Sequence, residues 1–164
     1  MDLLERQLGH DRWTTSRLLT TSRVLTDAQV DQEFDIGRRT IRKTFDHMVF
    51  AVDLWTGLMT GTPVDYYEVR DHLNLDTIVA RHERGYDAFV AIAKQIVSDG
   101  RLDETFVDHY DYPQSYGGTI SQVMLHNHGH RTEILHMFAR LDLHNLPDGD
   151  VQEWEHTTGL VPTP

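Results

Sequence analysis

The segment of this chain best suited to chemistry is His126-Asn127-His128-Gly129-His130-Arg131. On a helix, His126 and His130 stand one turn apart and project the same way. Two imidazoles at that spacing suit a shared metal ion. His128 points to nearly the opposite side and His136 also falls off the arc, so both read as surface residues. Glu133 lies one turn beyond His130, near enough to orient a ligand or to take a proton. Arg131 reads as a partner for an acid at the rim of the site.

A histidine pair needs a third ligand. His47 is the candidate, because it sits in an apolar helical face with Ala51, Leu54 and Leu58. A lone inward histidine is ordinarily a hydrogen-bonded core residue, and His82, inward on another helix, is read that way. His47 facing the His126–His130 pair gives three neutral imidazoles around one ion. The chain has no cysteine with which to close a structural site, so open coordination is expected. An open divalent ion promotes ionisation of a water or a thiol brought to it. Imidazole suits Zn²⁺, Ni²⁺, Fe²⁺ and Cu²⁺, and affinity order does not choose among them.

Four stretches carry the helical period that would position these residues. In 3–22, Leu4, Leu8, Thr15, Leu18 and Leu19 make a narrow stripe. In 40–60, Ile41, Thr44, His47, Met48, Ala51, Leu54, Trp55 and Leu58 recur at three- and four-residue steps, closed by Gly61 and Pro63. In 75–97, Leu75, Ile78, Val79, His82, Tyr86, Phe89, Ala93 and Ile96 form a long seam. In 119–141 the apolar members are Ile120, Val123, Met124, Ile134, Met137, Phe138 and Leu141, with Gly118 or Thr119 as the N-cap.

Helices of this length predict an all-α four-helix bundle over residues 1–150, with 151–164 as a C-terminal tail. The connections 61–74 and 99–118 have room to cross the bundle or carry extra structure. Thr105 to Tyr112, rich in β-formers and followed by Pro113 and Gly117-Gly118, predicts a short hairpin before the last helix. In the tail, Trp154 is the one anchor, and the residues from Gly159 are expected to be disordered.

Composition narrows the function. At 164 residues there is room for one domain with a sizeable core. A net charge of −11, with only the short basic cluster Arg38-Arg39 and Arg42-Lys43, argues against nucleic-acid binding, which relies on phosphate neutralisation. No apolar run approaches the ~18 residues of a membrane span. The N-terminal residues lack the pattern of a secretory signal, and the absence of cysteine fits a cytoplasmic protein.

The residues also carry a resemblance. Leu125 to Ile134 resembles the His-x-x-x-His-Arg-x-Gln signature of the DinB/YfiT-like superfamily of metal-dependent enzymes. His126 and His130 match its paired histidines and Arg131 its arginine. Glu133 stands where glutamine is usual, and Thr132 where glycine is. The segment 40–55 resembles the family's first-histidine helix and makes His47 the third ligand. His10-Asp11-Arg12-Trp13 with Leu18-Leu19 resembles its opening helix, and Leu146-Pro147-Asp148-Gly149-Asp150 the segment after its last one. The resemblance implies a four-helix bundle of unusual helix order, a divalent ion (Zn, Ni or Fe) on three histidines, and a homodimer. It further implies a transferase or isomerase using a low-molecular-weight thiol, or an amide hydrolase. A hydrolase would use ion-activated water with Glu133 as base. A non-catalytic metal or small-ligand binding protein is the remaining alternative.

Overall fold

The structure, a computed structural model, describes residues 1–62 and 74–162. Most of what was expected between 61 and 74, including the closing role of Pro63, lies outside the described residues. Helix α1 (Leu3–Thr21) opens on a capping box in which Asp2 and Glu5 satisfy each other's backbone N–H groups. A 3₁₀ turn (Ser22–Val24) and a short helix α2 (Asp27–Val30) follow; the sequence reading contained neither. α2 buries Val30, and the loop after it buries Phe34. In that loop the Phe34 N–H donates to the Arg39 carbonyl at 2.7 Å, while Gly37 and Arg39 adopt left-handed backbone (φ 50° and 73°).

Helix α3 (Ile41–Thr60) starts at Thr40, whose side chain accepts from the Lys43 N–H, and stops at Gly61 in the left-handed conformation that favours glycine. Helix α4 (Leu75–Ser98) is capped by Asn74. Strands β1 (Thr105–Val107) and β2 (Pro113–Ser115) pair antiparallel, with Phe106 opposite Gln114. The Asp108 carboxylate ties the loop between them by accepting from the N–H groups of Tyr110 and Tyr112 at 2.8 and 3.0 Å.

Helix α5 (Tyr116–Arg140) has Ser115 as its N-cap, ahead of the expected Gly118 or Thr119. The Gly117-Gly118 pair reads as loop in the sequence, but the hairpin feeds directly into the helix. Gly117 serves close approach there: its N–H donates to the Leu102 carbonyl at 2.9 Å, and a Cβ would stand 3.2 Å from that oxygen.

The four long helices pack into the all-α bundle, with α3 against both α4 and α5 and α1 against α4 and α5. One apolar cluster holds Leu18, Phe45, Met48, Ile78, Ile134 and Phe138; a second holds Leu8, Val52, Tyr86, Phe89, Ile96 and Val123. Each fully buried side chain of this size stabilises the fold by about 1.5–3 kcal/mol before entropy is counted. Beyond α5, helix α6 (Val151–Thr157) buries Trp154 against Gly9, where a Cβ would meet the indole at 2.7 Å. The backbone after α6 is not loose as expected: Gly159 (φ 73°) turns the chain so that the N–H groups of Leu160 and Val161 reach the Glu155 carbonyl. No helix among the described residues is long and apolar enough to cross a membrane.

Candidate metal centre

His47 projects from α3 while His126 and His130 project from α5, one turn apart. Their ligand nitrogens all lie within 4.8 Å of one another. His47 Nε2 stands 2.9 Å from His126 Nε2, which stands 3.2 Å from His130 Nε2. Two nitrogens each ~2.0–2.1 Å from one ion, at angles near 90–110°, are about 2.9–3.4 Å apart, so both separations suit a shared ion. The chemistry of the donors agrees. Neutral imidazoles whose Nε2 atoms meet in this way either share protons in N–H···N hydrogen bonds or turn their lone pairs to a common cation. All three rings are partly buried, not sealed.

One neighbour sets the tautomer of His130. A Glu133 oxygen lies 2.7 Å from His130 Nδ1 and accepts its proton, leaving Nε2 as the lone-pair nitrogen. The Glu133 carboxylate in turn packs on Gly37, where a Cβ would collide with it. Burial, followed by the neighbouring charge of His130, holds the pKa of His126 below the usual imidazole value of 6.5. That favours the neutral ring an ion requires. Arg38, exposed in the loop before α3, places Nη2 2.9 Å from His47 Nε2. Nε2 has one lone pair, so donation from Arg38 and ligation of an ion are alternatives.

The helices are held in rotation by polar contacts inside the bundle. Arg131 does not lie at the rim as expected. It is 3 % exposed and pairs with Asp11 of α1, itself 2 % exposed. The reason is its register: Val123, Asn127, Arg131 and Ile134 form the buried stripe of α5, beside the histidines. Asp11 also accepts from the Tyr86 hydroxyl and, at 3.0 Å, from Asn127 Nδ2. On α3, Asp46 and Asp53 flank His47 and face Arg81 of α4, at 3.5 and 2.7 Å. His82 is a core residue, as read: its Nε2 lies 3.2 Å from Ser16 Oγ. His128 and His136 are exposed and take no part.

Residues 10–134, about three quarters of the chain, match the sequence profile of the DinB superfamily. The chain belongs to the DinB superfamily. The matched span of this DinB protein contains all three histidines, Glu133 and the Asp11–Arg131 pair. No curated protein matches the chain in sequence.

Three residues around the centre escaped the sequence reading. Asp11 carried a usable signal, since a carboxylate between Leu8 and Thr15 on an apolar stripe demands a buried partner. Gly37 and Arg38 carried none, because the approach of a loop to Glu133 of α5 and to His47 of α3 has no periodic trace.

Proposed function

We propose that His47, His126 and His130 hold one divalent ion with positions left open, and that this DinB protein is a metal-dependent enzyme of the thiol S-transferase type. The observation that carries the reading is the meeting of three Nε2 atoms from two helices, one of them fixed by Glu133. Zn²⁺, Ni²⁺ and Fe²⁺ all suit such a set. When bound, the ion supplies Lewis-acid chemistry that favours the ionised form of a small thiol brought to its open side. The protein's own part is to aim the imidazoles and keep them neutral. Glu133 positions His130, and Asp11 with Arg131 fixes the rotation of α5.

The attacking thiol comes from outside, since the chain has none. The test is a panel of low-molecular-weight thiols with a model electrophile, run with metal-loaded and chelator-treated protein. Metal-dependent conjugation with at least one thiol supports the reading; no metal-dependent rate with any of them contradicts it. An amide hydrolase is the second reading, favoured by the carboxylate beside the ligands. It needs Glu133 as a base, while one Glu133 oxygen is already committed to His130.

A further inference from the structure

A cavity of about 460 Å³ opens beside the centre, lined by Arg38, Arg39, Lys43, Asp46 and His47, with Phe50 as its apolar wall. Its charge runs opposite to that of the molecule. The chain carries −11 overall, yet among the described residues three cations line this cavity against one acid. Asp46 is faced by Arg81 at 3.5 Å, and Arg39 is paired with Glu33 at 2.7 Å. Arg38 and Lys43 are both exposed and, among the described residues, make no salt bridge with an acid, although Lys43 lies close enough to Glu33 to lower its pKa. Two cations without a salt-bridge partner among the described residues, on the wall of one cavity, make a local excess of positive charge on a negative molecule, which draws anions to that spot.

Location gives the field its meaning. His47 belongs both to the cavity wall and to the histidine set, and Arg38 Nη2 lies 2.9 Å from His47 Nε2. An anion gripped by Arg38 therefore sits within a few ångströms of the open side of the centre. Guanidinium offers a planar pair of N–H donors matched to carboxylate or phosphate oxygens, and the Lys43 ammonium adds a point charge. Arg38 and an ion compete for one lone pair on His47, and the guanidinium has further N–H donors with which to hold an anion.

We propose that Arg38 and Lys43 form an anion-binding subsite beside His47, so that the substrate of this centre is a small molecule bearing a carboxylate or phosphate group. The proposal rests on the metal-centre reading for what happens at the other end of that molecule, but the subsite itself can be measured without metal.

The experiment is calorimetric titration of zinc-loaded protein with 3-mercaptopropionate and with its uncharged amide, repeated on the Arg38→Met/Lys43→Met variant. Circular dichroism and zinc content are checked in each. The acid is expected to bind about tenfold more tightly than the amide in the wild type. In the double variant that preference should fall to about twofold or less, and in the wild type it should weaken as salt is raised. Equal binding of acid and amide by the wild type overturns the proposal, as does a preference that survives in the variant. Succinate and inorganic phosphate, titrated into chelator-treated protein, then separate the two chemistries. Binding of either that is lost in the variant supports the subsite and names its anion, and binding of neither overturns it. Failure of the metal reading looks different: zinc content would stay the same in wild type and His47→Ala while the anion results stood unchanged.

Discussion

Asp11 on α1 and Arg131 on α5 form an ion pair buried in the bundle, one residue along the chain from His130. Tyr86 and Asn127 donate to the same carboxylate, so α1, α4 and α5 meet at a single charged point. A pair desolvated this fully is poor evidence for net stability, but removing one partner strands the other.

Asp11→Ala is accordingly expected to destabilise the protein by about 3–5 kcal/mol, because the Arg131 cation stays buried without its partner. Replacing both, as Asp11→Leu with Arg131→Met, should recover most of that loss. Urea denaturation of the single and double variants checks it. A single variant within about 0.5 kcal/mol of wild type, the range of ordinary surface changes, would show that the pair does not organise the core.

Glu133 accepts the Nδ1 proton of His130, one of the three proposed ligands. Its replacement by alanine should weaken metal binding about 10- to 100-fold, the usual effect of losing such a partner. Glu133→Gln keeps a carbonyl acceptor for that proton and should restore most of the affinity. Competition with a chelating dye measures both. If alanine and glutamine variants bind zinc as tightly as wild type, the carboxylate does not position the ring. Its place beside the ligands would then favour the hydrolytic reading.

His82 gives the fold a pH dependence of its own. Burial holds its pKa below 6.5, so the folded protein keeps the ring neutral where the unfolded chain would protonate it. The unfolded state then binds more protons than the folded one, and stability falls as pH drops below about 6.5. His126 contributes in the same direction. The difference between wild type and His82→Gln isolates the His82 part. The wild type should lose stability more steeply than the variant from pH 7 to pH 5, in thermal melts of chelator-treated protein. Parallel curves would contradict it.

The long helices were legible because their signals are local. Thr40 with Gly61 brackets α3, and the 75–97 seam needs only the 3.6-residue period. The hairpin was legible from β-formers between turn residues. The start of α5 was not, because Gly117-Gly118 reads as loop until its contact with Leu102 is seen. The histidines followed from i, i+4 geometry and an inward His47, while the depth of Arg131 required knowing that Asp11 faces it across two helices. Arg38 reaches His47 through a left-handed turn at Gly37 and Arg39, whose course depends on Phe34 docking in the core. Tertiary contacts of that kind leave no pattern in a linear sequence.

The central claim is that three histidines from two helices hold one ion. Elemental analysis of the purified protein beside its His47→Ala and His126→Ala variants, after equal exposure to zinc and removal of excess, tests it most directly. About one zinc per chain is expected in the wild type, with most of it lost in each variant, since two of three ligands seldom hold an ion against dialysis. Equal metal content in all three proteins would contradict it.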